Sequence, residues 1–424
     1  MKQGYSMVPK QLHGRRQFLQ ASSALAMTVG VSQAFGGTVQ WPSWRGPNRD
    51  GVVGGGELPT SLSELNLAWS ASLEDSYSGP ILANDMVYTT ETVGRQDETL
   101  IALSVETGEQ VWKQAWAGAM SVPFFAKSNG DWIRSTPATD GDCVVVGGMR
   151  DVVACFDAKS GDERWRIDFV KDHGAALPPF GLVCSPAIVD DAVYMQAGGA
   201  VRKIDLKNGE LIWEQLPDDG GMSGGAFSSP TLAKIHGVEQ LVVQTRTTLG
   251  GIELATGKVL WKQDIAAFRG MNILTPTVWN DCVFTSSYGG KSLLFSLEPK
   301  DGEWGVQKVW ENGAEAYMSS PVVVGDHLYM HLRNKRCMCL DLTTGAETWR
   351  STPFGKYWSM LTDGQNILAL DETGELLLLE ANPDEFSVIE KRAITDEQAW
   401  AHIAIADGSV YVRRQKGLDV YRSA

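Results

Sequence analysis

The chain has 424 residues, of which 43% are hydrophobic and 21% charged, and its formal net charge is −14 at pH 7. No apolar run of membrane-spanning length follows the N-terminal region, so the sequence predicts no transmembrane span. A surface this acidic repels the phosphates of nucleic acids, and we therefore expect no nucleic-acid partner.

Residues 1–34 have the features of an export signal. Arg15-Arg16-Gln17-Phe18-Leu19 is similar to the twin-arginine motif, and an Ala-rich apolar stretch follows it. Ser32-Gln33-Ala34 has the small-x-small pattern of a signal-peptidase site. The sequence therefore predicts a periplasmic or secreted protein that is exported through the twin-arginine pathway.

Residues 35–64 form the next segment, which includes Trp41-Pro42-Ser43-Trp44-Arg45-Gly46-Pro47. Pro and Gly interrupt this stretch too often for a regular strand. We expect an extended cap segment that lies across one face of the domain formed by residues 65–424.

From residue 65 onward, a motif recurs in which an Asp and a Gly precede a Trp at nearly fixed spacing. The Gly supplies the positive φ of a tight hairpin turn, and the Asp side chain accepts hydrogen bonds from the amides of the turn. The copies carry Gly108 and Trp112; Asp157, Gly161 and Trp165; Asp205, Gly209 and Trp213; Gly257 and Trp261; and Asp341, Gly345 and Trp349. A stretched copy ends at Trp310, and Trp69 ends an isolated strand upstream. The intervals of 53, 48, 48, 49 and 39 residues between successive motif tryptophans indicate a β-propeller.

The last two units differ from the others. Ile389 stands where the seventh unit should have its Trp, and the final unit, from Trp400 to Tyr421, supplies only three strands. The isolated strand around Trp69 can complete it, which removes an open sheet edge. The sequence therefore predicts an all-β fold, an eight-bladed β-propeller of four-stranded antiparallel blades closed by an N-terminal strand in the C-terminal blade. Seven blades is the alternative if the fourth strand of unit seven is a loop.

The pattern A-x-D-x-x-T-G-x-x-x-W, approximated six times, resembles the quinoprotein-type (PQQ-like) repeat family. That family includes pyrroloquinoline-quinone alcohol dehydrogenases and the BamB-like scaffold proteins of outer-membrane assembly. The resemblance implies a propeller over roughly residues 65–424 and says little about function, because the Asp, Gly and Trp are structural in every member.

The resemblance also implies what a dehydrogenase would need. The quinone enzymes hold a calcium or lanthanide ion with acidic and amide side chains, use an aspartate base, and many have a disulfide between adjacent cysteines. This chain has no Cys-Cys pair, and its predicted first strands carry mainly Ser, Thr, Gly and aromatic residues. We therefore predict no catalytic residue, metal or cofactor, with pyrroloquinoline quinone plus calcium as the alternative.

The six cysteines are expected to be small buried residues. Cys155 and Cys339 both occupy the position two residues before the repeat Asp, where Ala102 and Gly251 stand in other copies. The sequence contains no C-x-x-C pair, which is the cysteine spacing expected of a zinc site.

Residues just before the Ser/Thr-Pro pairs that begin each unit are expected to ring the mouth of the central channel. They are Tyr77, Trp132, Arg134, Phe180, Phe227, Arg269, Asn272, Tyr317, Tyr357, Trp358, Trp400 and His402. Aromatic and Arg side chains at a concave mouth are typical of a binding site. The same side chains would also serve to cork the axis, and both interpretations stay open.

The linkers between units shorten along the chain, from 24 residues after Trp112 to 10 after Trp310. The longest linker, between Trp112 and Pro137, carries Trp116, Phe124 and Phe125. Because insertions in repeat proteins map to the working face, these residues predict an apolar rim for a partner. The alternative is that the loops pack on one another or under the cap.

Together these observations favour an exported, monomeric, non-catalytic propeller that binds a protein or a small ligand as a scaffold. The alternatives are a dehydrogenase that depends on pyrroloquinoline quinone and a ligand-sensing module.

Overall fold

The computed structural model describes Met1 and residues 39–54 and 58–423. The chain divides into two units, Met1–Ala34 and Phe35–Ala424, and every strand given below belongs to the second. Apart from Met1, the predicted export signal lies outside the described residues. Within those residues, no helix has the length and apolarity of a membrane span.

The strands pair into eight antiparallel sheets, which are the blades of a propeller. Blade 1 contains β1 (Val39–Trp41), β3 (Ile81–Ala83), β4 (Met86–Val93), β5 (Asp97–Ser104) and β6 (Gln110–Ala117); blade 2 contains β7 (Ala138–Thr139), β8 (Cys143–Gly148), β9 (Val152–Asp157) and β10 (Glu163–Asp168); blade 3 contains β11 (Ala187–Val189), β12 (Ala192–Ala197), β13 (Ala200–Asp205) and β14 (Leu211–Gln215); and blade 4 contains β15 (Thr231–Ile235), β16 (Val238–Gln244), β17 (Thr248–Glu253) and β18 (Val259–Asp264). Blade 5 contains β19 (Thr277–Trp279), β20 (Cys282–Ser286), β21 (Ser292–Lys300) and β22 (Glu303–Asn312); blade 6 contains β23 (Val322–Val324), β24 (His327–His331), β25 (Arg336–Asp341) and β26 (Glu347–Pro353); blade 7 contains β27 (Trp358–Thr362), β28 (Asn366–Asp371), β29 (Glu375–Glu380) and β30 (Val388–Ala393); and blade 8 contains β31 (Ala404–Ala406), β32 (Ser409–Arg414), β33 (Gly417–Ser423) and β2 (Leu65–Ser72). The prediction of eight blades is confirmed, because the seventh unit does have a fourth strand, β30.

Among the described residues, helical structure lies in the connections between blades. Helix α1 (Phe169–His173) begins after Asp168, whose side chain accepts a hydrogen bond from the Lys171 amide, and ends at Gly174 in the left-handed conformation. Three 3-10 turns span Phe124–Asn129, Gly221–Ser223 and Phe268–Gly270.

The ring closes as predicted, with β2 paired to β33 from Leu65 opposite Ser423 to Ser72 opposite Gly417. A carboxylate on β30 fixes the chain before this strand. The oxygens of Glu390 accept hydrogen bonds from the amides of Leu62 (2.6 Å) and Ser63 (2.8 Å). Polar contacts thus stabilise the junction between blades 7 and 8, where unit seven lacks its Trp.

The repeat motif joins each blade to the next one. The indole Nε1–H of Trp165 in blade 2 donates to the Leu206 carbonyl of blade 3 (2.8 Å), and Gly209 of blade 3 lies against the same ring. A Cβ atom at Gly209 would lie 2.9 Å from the indole. The same N–H···O bond connects Trp69 to Val105, Trp112 to Ala158, Trp310 to Leu342, and Trp349 to Asn382.

Two motif tryptophans depart from this rule. The Leu254 carbonyl, which would face Trp213, accepts hydrogen bonds from Tyr194 and Lys203 instead, and the Trp213 N–H has no partner among the described residues. Trp261 donates to the side chain of Gln240 within its own blade (2.8 Å). Blade 5 lacks the repeat turn at the corresponding position, since β21 and β22 extend to Lys300 and Glu303 before the chain reverses.

All six cysteines are free thiols; five are buried and Cys282 is half-buried. The expectation that they are compact interior residues is confirmed for those five.

The cap begins with a strand, because β1 pairs with β3 as a fifth, innermost strand of blade 1 and places Trp41 opposite Leu82. The prediction that the whole segment is irregular is therefore wrong at this point. The inner edge of β3 would otherwise expose unpaired backbone groups, and β1 satisfies them.

Candidate partner-binding face

The ring has two faces that carry different connections. One face, here called the turn face, carries the short turns within blades, such as Asn84-Asp85 and Thr107-Gly108. The opposite face, here called the linker face, carries the connections between blades and the hairpins between second and third strands. The long linkers, and the connections and strand starts that carry the predicted mouth residues, belong to the linker face.

On the turn face, residues 40–53 run across the innermost strands of several blades. The Pro42 carbonyl accepts a hydrogen bond from Thr139 of blade 2, and the Val53 amide donates to Thr362 of blade 7. The predicted cap therefore covers the end of the central axis on this face.

Arg49 of the cap reaches into the axis. Its guanidinium donates to the carbonyls of Ser185 (3.0 Å), Pro186 (2.5 Å) and Pro230 (3.1 Å), at the start of the inner strands of blades 3 and 4. Burial lowers the pKa of Arg49 to about 10, so the side chain keeps its charge at neutral pH. One cation thus satisfies three carbonyls from two blades.

Arg45 does the same on the other side of the axis. It donates to the Asp50 carbonyl (2.8 Å) and to the Pro321 carbonyl of blade 6. Together the two arginines connect the cap to three blades that are distant from it in sequence.

His402 was predicted at the channel mouth but contacts the cap instead. Its ring lies edge-on to Trp44 at 5.1 Å, and its Nδ1 is 3.0 Å from the Ser359 hydroxyl. Burial, and then the positive charge of Arg45, lower the pKa of His402 to about 3. The prediction that His402 lines a binding mouth is wrong, because its ring packs toward the closed end of the axis.

The mouth on the linker face is crossed by an arc of aromatic rings. Tyr77 stacks on Trp400 (centroids 4.5 Å apart, planes at 8°) and meets Trp132 edge-on at 5.2 Å. Tyr357 contacts Trp400 at 4.3 Å, and Tyr317 continues the arc at 5.7 Å. The predicted residues Tyr77, Trp132, Tyr317 and Trp400 are thus brought together.

These rings largely pack on one another. Tyr77 and Tyr357 are both buried, and the Tyr77 hydroxyl and the Trp400 N–H have no hydrogen-bond partner in the described ranges. Burial is the main reason that the pKa values of both tyrosines lie above their ordinary value. Tyr77 and Tyr357 therefore fill the end of the central axis and do not offer a binding surface.

A second aromatic cluster, the phenylalanine patch, faces solvent. Phe124 is 85% exposed and Phe125 52% exposed, and both lie on the 3-10 turn of the longest linker. The ring centroid of Phe125 lies 6.2 Å from that of Phe180 on the next linker, and the Phe180 centroid lies 5.6 Å from that of Phe227 on the third linker. Three successive linkers therefore build one patch. The alternative that the linkers pack on one another is correct for these rings, but Phe124 and Phe125 stay exposed to solvent.

Arg246, which sequence reasoning missed, supports this patch. Its guanidinium lies over the Phe227 ring at 4.4 Å and donates to the carbonyls of Arg269 and Gly270. Arg246 sits on the hairpin between β16 and β17, which shares the linker face with the linkers. Tyr288 and Arg333, on the equivalent hairpins of blades 5 and 6, lie against each other at 4.2 Å. Inspection of these hairpin positions would have found all three residues.

Several arginines at this face lack a carboxylate partner, whereas Arg333 pairs with Glu315 (3.1 Å). Arg134, Arg246 and Arg269 form no ion pair within the described part of the chain, although Asp131 and Asp218 influence the first two electrostatically. Arg269 is exposed beside Phe268. In a chain with a net charge of −14, this leaves positive charge beside exposed aromatic rings.

Three other predicted surface residues are buried and contribute no surface. The Trp116 indole donates to the Glu98 carboxylate (3.1 Å), the Trp358 indole donates to Asp371 (2.9 Å), and Asn272 donates to the carbonyls of Arg246 and Ile265. Each was predicted from its place in a linker or at a strand start. The prediction is wrong because each side chain is buried and donates its hydrogen bonds to acceptors inside the protein.

Among the described residues, no three His, Cys, Asp or Glu side chains lie close enough together to hold a metal ion.

The family model described as "Outer membrane protein assembly factor BamB" matches residues 54–114 and 96–351. The chain belongs to the BamB-like family of PQQ-type propellers. BamB of Shewanella oneidensis is 21% identical over 339 residues, covering 74% of this chain and 78% of the relative. BamB of Yersinia pestis is 21% identical over 258 residues, 58% of this chain. The chain spans 60% and 53% of the length of the Yersinia pestis and Legionella pneumophila relatives.

Solved structures share the architecture of this BamB-like chain. BamB from Moraxella catarrhalis aligns with a TM-score of 0.60 at 14% identity and covers 84% of this chain and 97% of its own. A quinohemoprotein alcohol dehydrogenase from Pseudomonas putida aligns with a TM-score of 0.51 at 13% identity, covering 91% and 80%. At these identities the likeness shows the fold alone.

Arg49→Ala should destabilise the propeller by about 2–4 kcal/mol, because it leaves three buried carbonyls without a donor. Arg49→Lys should fall between Ala and the original residue, since a lysine cannot span all three acceptors. Equilibrium urea unfolding measures the loss, with exposed Arg95→Ala as the control. Equal stability of Arg49→Ala and Arg95→Ala would contradict the role of the cap arginine.

Glu98 should make stability depend on pH. Its carboxylate accepts hydrogen bonds from the Met149 amide and Trp116, yet burial raises its pKa to about 7. The folded protein therefore keeps a proton that the unfolded chain releases above about pH 4.5, so this contribution to stability falls as pH rises to about 7 and is constant above.

Glu98→Gln should reduce the stability difference between pH 5 and pH 8 by on the order of 2 kcal/mol. Urea unfolding at both pH values measures it, and the comparison with the unaltered protein cancels the effects of other titrating groups. Exposed Glu106→Gln is the matched control. An unchanged pH dependence in Glu98→Gln would show that the carboxyl is ionised in the folded protein.

Proposed function

We propose that this protein is an exported, non-catalytic scaffold that binds a protein partner through its linker face. Membership of the BamB-like family supports a scaffold, since the matching relatives are named outer membrane protein assembly factors. By analogy, the partner belongs to the machinery or the substrates of envelope assembly, and the protein acts in the periplasm after export through the twin-arginine route.

The phenylalanine patch is the observation that carries this proposal. Phe124 and Phe125 are exposed on a linker that could have buried them, and exposed contiguous aromatic surface in a soluble domain marks interaction sites. The patch is built by three consecutive linkers, which gives it a fixed position on the ring.

The charges beside the patch define the chemistry of the partner. Arg246 is held over Phe227 by backbone carbonyls, and Arg269 lies exposed close by. A partner segment that combines apolar side chains with carboxylates would bury the patch and pair these arginines, which are favoured residues at interfaces. The proposed partner surface is therefore an acidic, apolar segment of a protein.

In vivo photo-crosslinking tests the proposal. Phe124→benzoylphenylalanine should give a discrete high-mass adduct in the cell envelope, because the side chain would lie in the interface. The matched control is Val309→benzoylphenylalanine, an exposed apolar residue on the outer strand of blade 5. The adduct at position 124 should disappear when Phe125→Ser and Phe227→Ser are added. Equal adducts at both positions, or none at 124, would contradict the proposal.

The quinone-dehydrogenase alternative gives a different result with purified protein. If the mature chain retained a pyrroloquinoline-quinone chromophore in the presence of calcium and reduced a dye with alcohols or sugars, the non-catalytic proposal would be wrong. We expect neither retention nor turnover.

A further inference from the structure

A polar cleft lies on the linker face beside the phenylalanine patch. Its volume is about 380 Å³, within the range of small-molecule sites, which is roughly 300–1,000 Å³. The hairpin after β4 forms one wall with Arg95, the chain before β3 contributes Glu74 and Asp75, and the longest linker contributes Lys127, Asp131 and Trp132. The space suits a small molecule rather than a helix or strand of a partner.

Most charged groups in this cleft are not used by the fold. The side chains of Glu74, Arg95, Lys127 and Asp131 form no hydrogen bond or ion pair with any residue in the described ranges. Asp75 differs, because its carboxylate accepts a hydrogen bond from Gln415 (2.6 Å) and is held in place. The cleft therefore offers free acceptors and free donors around one fixed carboxylate.

The charges in the cleft nearly balance. Three carboxylates face two cations, so an anion or a cation gains little net attraction there. A ligand that donates hydrogen bonds to carboxylates and accepts them from Arg and Lys meets both sets of groups. Hydroxyl groups do both, which points to a neutral molecule with many of them.

Trp132 gives the cleft a rigid apolar wall. A Cβ at Gly130 would lie 2.4 Å from the indole, so the absence of a side chain there, in a residue with φ +71°, allows the ring its position. Tyr77 holds the ring from another side, edge-on at 5.2 Å. A flat ring fixed in this way can stack against the C–H face of a sugar at little cost in conformational entropy.

We propose that this cleft binds a neutral polyhydroxylated ligand, in the size range of a short oligosaccharide. The site is separate from the protein-binding proposal, since it uses Trp132 and the charged groups and not the exposed phenylalanines. Either proposal can fail without the other.

Isothermal titration calorimetry on the full mature chain tests the site, with maltotriose, cellotriose and chitotriose as neutral probes. Inorganic phosphate and spermidine serve as anionic and cationic probes. At least one trisaccharide should bind, and Trp132→Ala and Asp131→Ala should each weaken it by about tenfold or more. Asp131→Ala removes a half-exposed side chain with no hydrogen bond, so it tests the site without disturbing the packing around Trp132.

Exposed Glu106→Ala, on the turn face, is the matched control and should bind like the original chain. The proposal is overturned if no trisaccharide binds at millimolar concentration, if binding is unchanged in Asp131→Ala and Trp132→Ala, or if phosphate or spermidine binds in preference to every trisaccharide.

Discussion

Most blades of this propeller rest one of their turns on the tryptophan of the blade before them. The turn glycine lies against the indole, and the indole N–H donates to a carbonyl of the same turn, as at Trp112 with Gly161 and Ala158. Where a turn glycine lies against the ring, the ring fills the space that a Cβ would occupy, so the position accepts only glycine without a shift of the ring. A single four-stranded blade could not bury its indole, so this contact makes the ring the stable unit.

Because each blade depends on its neighbours for stability, the ring must be closed where the last blade meets the first. Where unit seven has no tryptophan, Glu390 holds the segment that leads into β2, and β2 completes blade 8. The cap then covers one end of the axis, with Arg45 and Arg49 bonded to inner-strand carbonyls. Because one face is closed by the cap, the exposed aromatic residues and the polar cleft are concentrated on the other face. The two proposals of binding both follow from this asymmetry.

The architecture could be predicted from the sequence because its determinants are local in the chain. Asp, Gly and Trp recur within eleven residues, and their spacing specifies the turn, the strand that follows it and the tryptophan that packs between neighbouring blades. The cap arginines could not be predicted in the same way, because the carbonyls that bind Arg49 lie 136 to 181 residues away and are positioned only by closure of the ring. The binding face could be predicted only in part, because the direction of a side chain also depends on contacts made after the ring closes. Tyr357 and Trp358 are adjacent, yet one joins the aromatic arc and the other donates to buried Asp371, and only the register of β27 decides which side chain points inward.

The contact between the turn glycine and the preceding tryptophan can be separated from backbone strain by comparing two glycines. Gly161 (φ +77°) lies against Trp112, and a Cβ there would be 2.7 Å from the ring, whereas Gly237 (φ +80°) has open space around it. Urea unfolding of Gly161→Ala and Gly237→Ala measures the difference. Both should lose about 1 kcal/mol to the left-handed backbone, and Gly161→Ala should lose about 2 kcal/mol more, because the ring must move. Equal losses would contradict the account, since the tryptophan contact would then contribute nothing to holding neighbouring blades together.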